Sequence, residues 1–457
     1  MVNLRKTLNK GETFMNSLNE KSLNFNRKIK INFDGGDLTS DSGLFLYKEF
    51  DEKMGLSVAI ENNLQVNDNA KFRRHTNSDI AIQKIYQNIA GYHTDDNADE
   101  LINDPAFTAV LQKEALASQP TISRFNSRLT IDNVKQFEKI NELLINNVYS
   151  VEMPSEIIFD IDSTNFETYG KQHGSAYNFH YSSNGYHPLL MFDGLTGDLI
   201  KAELRAGNVY TSRQVVRFIG PILKMYSERY PSIARFVRAD SGFANPELYK
   251  LIEENKGFYA IRLKANATLY KKSTNITERM NNLCRGNIYD YQVIYGEFTY
   301  KASSWDKQRR VVVKVEKPEG QMCYNYTFVV SNMKSTPKKI IMFYCNRGTM
   351  ENFIKEGKNG FNFDSMSSSE FIANANKLQI ALIAYNFNNW FRRLVLCKSM
   401  ISSRIETIRI KLVKIAAKIV KSARYLNFKL CSTCAYKEAF WNTLDNINKL
   451  SISSAHT

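Results

Sequence analysis

Between Lys28 and Phe33 polar and apolar residues alternate in "KIKINF", the period-two pattern of a half-buried strand. "LTSDSG" follows, predicting a helix start capped by Thr39, Ser40 or Asp41. From about 40 to 150 the period becomes helical: "SDIAIQKIYQNIAGY", "DELINDPAFTAVLQKE" and "DNVKQFEKINELLINNVY" repeat apolar residues at three- and four-residue steps. Between the last two, "LASQPTISRFNSRLT" reads as a turn entering a helix. It fits a helix-turn-helix with Ser123, Arg124, Asn126 and Arg128 near the outer face, and it fits plain three-helix packing equally.

Near 155 the texture changes. "EIIFDID" predicts a buried strand, and "SAYNFHYS", "HPLLMFDG" and "GDLIKAELRAG" predict further strands. Then come a helix over "SRQVVRFIGPILKMYSERY", a strand at "ARFVRAD", a helix at "NPELYKLIEENK" and a strand at "GFYAIRLKA". That order predicts an α/β sheet of mixed direction. From 268 to 343 the pattern is almost all β, through "YDYQVIYGEFTYKAS", "QRRVVVKVEK", "YNYTFVVSNM" and "KKIIMFY". The expected divisions are 1–150, mainly helical; 151–267, the first part of the core; 268–343, a β-rich insertion; 344–400, the last core helices; and 401–457, a basic helical tail. Residues 1–30 are polar and expected to be loose.

The composition supports a folded chain: 43% of 457 residues are hydrophobic and 12% aromatic, enough for a real core. No stretch reads as a signal peptide or as an apolar span long enough for a bilayer. Cys431 and Cys434 form a lone C-x-x-C beside a predicted strand, a weak zinc signal that fits two small apolar residues better. A soluble, reduced, cytosolic protein is expected. Net charge is +15, and residues 391–430 hold eleven Lys and Arg against one acid, which suggests a polyanionic partner. In "IETIRIKLVKIAAKIVKSAR" the helical period puts Lys411, Lys414, Lys418 and Lys421 on one stripe and Ile408, Leu412, Ile415, Ile419 and Ala423 on another. An amphipathic helix with a lysine face is expected, either touching nucleic acid or simply solvated.

Two acids end predicted strands. Asp162 closes "IIFDID", with Asp160 two residues earlier on the same face. Asp240 closes "ARFVRAD" and precedes Ser241-Gly242. Carboxylates at such ends point into the crevice where ligands collect, although they also serve as caps. A third acid lies in "FYCNRGTMENFIKEGK". On a continuous helix Tyr344, Arg347, Glu351 and Lys358 share a stripe about 60° wide. Glu351 among a phenol, a guanidinium and an ammonium suits a divalent cation with phosphate around it. An Arg347–Glu351 ion pair is the plainer reading, worth only about 0.3–0.5 kcal/mol. His173, His180 and His187 lie between the first strands and are placed near the same region.

The spacing Tyr344-x2-Arg347-x3-Glu351-x6-Lys358 resembles the Tyr-Arg-Glu-Lys signature of DDE transposases from bacterial insertion sequences. "LTSDSGLFLYKEFDEKMGL", "LASQPTISRFNSRL", "FDIDST", "NGYHPLLMFDGLTGDLIKAELRAGN" and "VRADSGFANPELY" resemble the insertion sequence 1380 family. The resemblance implies an RNase H-like catalytic core interrupted by a β-rich insertion, with a helical N-terminal DNA-binding region. It implies catalytic and metal-binding roles for Asp162, Asp240 and Glu351, and DNA-phosphate contacts from Tyr344, Arg347 and Lys358. Two Mg²⁺ ions, for which Mn²⁺ can substitute, would serve cleavage and joining of double-stranded DNA at transposon ends and target. It implies a homodimer in the synaptic complex and a bacterial, cytoplasmic, nucleoid-associated setting without membrane. The basic C-terminal lysines fit a DNA-contacting tail. Two other classes stay open: a catalytically silent DNA-binding derivative, and an RNase H-fold nuclease outside transposition.

Overall fold

The computed structural model describes residues 20–285 and 289–452. At its centre is an eight-stranded sheet: β1 Glu156–Ser163, β2 Leu189–Asp193, β3 Leu199–Glu203, β4 Ala234–Ala239, β5 Phe258–Leu263, β6 Gln292–Tyr300, β7 Arg309–Lys317 and β8 Asn325–Ser331. Across the sheet the order is β6-β7-β8-β5-β4-β1-β2-β3. β4 runs parallel to both β1 and β5, and the other neighbours are antiparallel. Six helices set the site: α1 Ile131–Val151, α2 Val215–Arg229, α3 Pro246–Glu254, α4 Pro337–Cys345, α5 Gly348–Phe361 and α6 Phe371–Val395. The mixed α/β expectation holds.

β1 is buried at almost every position because both its faces are covered. At the far side the edge strand β3 would expose a row of unpaired backbone groups. α6, buried nearly all round, answers this with amide side chains. Leu199 N donates to Asn386 Oδ1 and Asn386 Nδ2 donates to Leu199 O, both at 2.8 Å. Gln379 Nε2 donates to Ala202 O at 2.9 Å. Asn141 of α1 adds donations to the carbonyls of Leu199 and Ile200. The helices Leu44–Met54 and Asn77–Ala90 pack on α1 and α6, and Tyr47 stacks on Phe391 with ring centroids 4.1 Å apart.

Several sequence expectations are corrected. The 268–343 block is less purely β than expected, and its strands β6–β8 join the main sheet through the β8–β5 pair. It also contains helices Ala267–Lys272 and Thr274–Cys284. "KKIIMFY" lies in α4, where Pro337 opens the helix and Ile340, Ile341 and Tyr344 are buried at helical steps. Among the described residues the first helix begins at Leu44 without a side-chain cap. Gly43 stands at its start because a Cβ there would lie 1.6 Å from Leu412 O. In the helix Gln119–Arg128, Ser123 and Arg124 are exposed as expected. Asn126 and Arg128 instead turn inward, to Asp95 and to Asn77 and Asp68. Residues 26–31 form a strand paired with Lys21–Leu23, overlapping the strand expected at 28–33, but every position of it is exposed rather than half-buried. Residues 1–19 lie outside the described residues.

The C-terminal lysine helix is also corrected. A short helix Ile405–Ile408 and one π-turn to Val413 give way to strand Ala417–Lys421, paired with Leu426–Leu430 and with Leu38–Thr39. The segment carries period two as well as period 3.6: Ala417 and Ile419 are buried and Lys418 is exposed, and its β-branched residues favour the strand. The lysines therefore share no stripe. Lys411 lies over the Tyr436 ring, Lys414 pairs with Asp41 at 2.5 Å, Lys418 is open, and Lys421 is 3.7 Å from Asp37.

Asp193, ending β2, tests the core electrostatically. Burial pushes its carboxyl up to about 6, against donations from Thr196 Oγ1, Leu195 N and Ile158 N, and nearby Asp198 adds to the rise. The folded pKa exceeds the unfolded value near 3.9. Between those values the native state holds a proton the unfolded chain has released, so this group's contribution to stability falls as pH rises from about 4 to about 6. The loss is about 2–3 kcal/mol. Asp193→Asn keeps acceptors for both amides, and the Thr196 hydroxyl can reverse. Urea unfolding of this variant at pH 4 and pH 7 is expected to show a smaller stability difference than the parent, by about that amount.

Candidate active site

β1 and β4 run side by side in register, with Asp160 opposite Arg238. Both side chains are buried, and their fork is bidentate: Arg238 Nε donates to Asp160 Oδ1 and Nη2 to Oδ2, each at 2.6 Å. Nη1 donates to Phe343 O at 2.7 Å, at the end of α4, and the guanidinium lies 5.2 Å from the Phe343 ring centre. A Cβ on Gly194 would come within 2.5 Å of Asp160 Oδ2, so only glycine leaves the pair room. Two residues on, the same faces carry Asp162 and Asp240. Alternation puts them beside each other at the C-terminal ends of two parallel strands. Asp160 is thus committed to an internal ion pair and Asp162 is the acid left facing the cleft.

Each cleft acid is anchored by one backbone amide. Ser163 N donates to Asp162 Oδ1 at 2.9 Å, and Gly242 N donates to Asp240 Oδ1 at 2.8 Å, closing the tight exit after β4. Burial pushes the Asp162 carboxyl up to about 6; Arg347 pulls it down and Asp240 adds to the rise. Burial works against the Arg347 charge, but Asp162 and Asp240 more than offset it and raise its pKa. Arg347 Nη2 lies 2.8 Å from Asp162 Oδ2, yet off the hydrogen-bond line, and among the described residues Nε and Nη2 have no hydrogen-bond partner.

The stripe expected on one helix is broken. α4 ends at Cys345, and Arg347 stands at the N-cap of α5. Tyr344 is nearly buried among Ala260, Val312, Val329, Ile340 and Ile341. Burial raises its phenol, with Arg347 opposing and Asp240 contributing to the rise. Glu351 is exposed on the first turn of α5 and makes no hydrogen bond or ion pair among the described residues. Lys358 donates to Asn165 O at 2.8 Å, three residues past Asp162. The fold thus gathers Asp162, Asp240, Arg347 and Tyr344, sets Lys358 at the margin, and leaves Glu351 outside.

The family described as "Transposase DDE domain group 1" matches residues 21–452. The chain belongs to that family. Among solved structures, one similar chain is the piggyBac transposase in a cryo-EM synaptic complex with hairpin DNA. It is 15% identical, with 92% of this chain and 87% of that chain covered and a TM-score of 0.37. No curated protein matches.

For a DDE-domain chain the donor set is the central question. Asp162 and Asp240 offer only oxygens, as hard divalent cations prefer, and a cation between them would relieve the repulsion they now exert. Among the described residues no group of three His, Cys, Asp or Glu side chains is placed to hold a metal ion; Glu351, the third acid that the resemblance implies, lies apart. Sequence reading missed the other wall. A cavity of about 470 Å³ is lined by Asp162, Asp240, Thr211, His187 and the rings of Tyr177, Phe179, Tyr181 and Tyr210. His187 is structural: burial lowers its pKa, and Nδ1 lies 2.7 Å from Val209 O, to which it donates. The four rings, on the hairpin built from Ala176–Asn178 and Ser183–Tyr186 and on the loop before α2, carried no signal in the sequence and are brought to the acids by the fold. His180 is on this wall, while His173 lines a separate cavity with Glu370.

Removing one partner of the Asp160–Arg238 pair leaves a buried uncompensated charge. Arg238→Met is expected to cost about 3–5 kcal/mol in denaturant unfolding. The double variant Asp160→Leu/Arg238→Met is expected to recover most of that loss.

Proposed function

We propose that the chain is a DDE transposase that binds the terminal inverted repeats of its insertion sequence and performs Mg²⁺-dependent strand cleavage and strand transfer. The observation that carries this is the placement of Asp162 and Asp240 side by side at the ends of β1 and β4, facing Arg347. The strand order β3-β2-β1-β4-β5, antiparallel up to β1 and parallel from there to β5, supports an RNase H-like core, with β6–β8 as its insertion. Two divalent cations on Asp162, Asp240 and Glu351, Mg²⁺ or Mn²⁺, would supply activation of the attacking water or 3′-hydroxyl and stabilisation of the leaving oxygen.

The chain's own residues do the rest. Arg347 neutralises Asp162 while no phosphate is present, and its planar fork is suited to take two phosphate oxygens instead. Glu351 follows Arg347 by about one helical turn, so an α5 movement that frees Arg347 also carries Glu351 toward the acid pair. Buried Tyr344 fixes the end of α4, and its hydroxyl is proposed to meet a phosphate beside Asp240. Lys358 would exchange the Asn165 carbonyl for a phosphate oxygen. Residues 1–150, through exposed Ser123 and Arg124, and the basic C-terminal hairpin, through Lys418, would add contacts to double-stranded DNA. Synapsis as a homodimer and a cytoplasmic, nucleoid-associated setting belong to the same reading.

A supercoiled plasmid carrying both ends of the element is the test. Nicking at the ends is expected with Mg²⁺ and not with EDTA. Asp162→Asn, Asp240→Asn and Glu351→Gln are each expected to slow it at least about a hundredfold, with circular dichroism unchanged. Undiminished nicking by Asp240→Asn sinks the assignment, and end binding by the parent without any nicking would favour the silent DNA-binding alternative.

A further inference from the structure

The wall opposite the acids carries an unusual concentration of open rings. Phe179 is 90% exposed, Tyr210 68%, Tyr177 46% and Tyr181 36%, and all four line the cavity that contains Asp162 and Asp240. Three belong to one tight hairpin. Strand Ala176–Asn178 pairs with Ser183–Tyr186, Asn178 facing Ser183, so residues 179–182 form a four-residue connection. Ser182 takes a left-handed conformation, φ +54°, to close it.

The hairpin is held firmly. Asn178 Nδ2 donates to Gly207 O at 2.8 Å, His180 N donates to Asn178 Oδ1 at 3.0 Å, and Asn165 Nδ2 donates to Ser183 Oγ at 2.8 Å. Gly207 has no room for a Cβ, which would lie 2.1 Å from Gly185 O. Tyr181 points inward, edge-on to His180 and His187, with its hydroxyl 3.4 Å from Ser163 O. Phe179 meets Tyr177 edge-on at 5.2 Å and otherwise faces solvent. None of this exposure is needed to build the hairpin, whose tip would close with polar residues.

We propose that Phe179, Tyr177, Tyr181 and Tyr210 form a stacking platform for unpaired bases of the DNA strand whose phosphate lies against Asp162 and Asp240. The proposal rests on the strand-cleavage reading of that acid pair. A cavity of about 470 Å³ takes a group of small-molecule size, so a base enters it only after leaving the duplex stack. Rings accept any base face, which makes the contact tolerant of sequence. The geometry divides the nucleotide: neutral base to the rings, charged phosphate to Arg347 and the cation site. Substrate preference is therefore for DNA already opened at the reacting end, or opened by the hairpin itself.

The test is fluorescence anisotropy of the full chain with a labelled short oligothymidine strand and with a labelled duplex of equal length. Phe179→Ala and Tyr210→Ala are each expected to weaken single-strand binding roughly 5- to 100-fold, to leave duplex binding unchanged, and to regain the loss on Phe179→Trp. Unchanged single-strand affinity in both alanine variants, or an equal loss on duplex, overturns the proposal. Phe179 is solvent-facing, so its truncation does not threaten the core. The Asp240→Asn variant separates the two readings. If it still nicks while Phe179→Ala loses single-strand affinity, the catalytic assignment fails and the platform stands. If it is inert while Phe179→Ala binds normally, the platform alone fails.

Discussion

The buried fork between Asp160 and Arg238 is the constraint on which the site depends. Taking two charges out of water costs several kcal/mol per ion, and the cost is met only if every donor and acceptor is used. Here the carboxylate takes two donors and the guanidinium spends its remaining arm on Phe343 O. That requirement fixes three things at once. It holds β1 and β4 in one register, because a slip by one residue would turn one of the two charges to the opposite face and break the pair. It forces glycine at 194. It also ties the end of α4 to the sheet, three residues before the chain turns to deliver Arg347. The catalytic-looking acids lie one step further along the same two strands, so their separation is inherited from a structural pair that cannot relax.

Around this centre the scaffold is closed off on its open sides. α6 satisfies edge strand β3 with amide side chains. The two ends of the chain are sewn together where Gly43 N donates to Val413 O at 3.1 Å and strand 417–421 pairs with residues 38–39. Arg409, whose pKa burial lowers to about 10, donates to the carbonyls of Asn88, Ile89 and Gly360. It thereby ties the last turn of an N-terminal helix to the end of α5. α5 is thus tied down at its far end, while at its near end buried Met350 and the Phe353 ring against Phe192 hold the first turns and Glu351 stays exposed.

What could be read from the chain alone was what local pattern determines. β1 and β4 are short strands built around apolar residues, each with a carboxylate at its end, and both the strands and the acids at their ends followed from that. α1 and α6 announced themselves by long helical periods. Properties decided by distant partners were lost. Gly43 replaces a capping residue because Leu412, far along the chain, presses on it. "KIAAKIVK" carries two periods, and pairing with residues 38–39 selects the strand. Asn126 and Arg128 looked outward on a helical wheel, but Asp95, Asn77 and Asp68 draw them in. The break at 345–347 shows the same limit: the helical period runs straight through it, while Arg238 gripping Phe343 O near the end of α4 comes from a distant strand.

Arg347 then has a definite energetic role. A buried guanidinium with N–H groups lacking partners costs about 1–3 kcal/mol for each group left unsatisfied, and Asp162 beside Asp240 is itself raised toward neutrality. Neither partner is at rest, yet each lowers the other's penalty, so the empty cleft is tolerable without being satisfied. A phosphate offers Arg347 the in-plane acceptors it lacks, and a cation offers the two acids the charge they lose when Arg347 leaves. The two arrivals are coupled through one residue, since a phosphate that takes the guanidinium uncovers Asp162. On the proposed reading Glu351, about one turn beyond Arg347, would be the ligand that joins the acid pair when Arg347 is drawn to a phosphate. In the empty cleft Arg347 stays with Asp162 and Glu351 stays exposed and unpaired among the described residues.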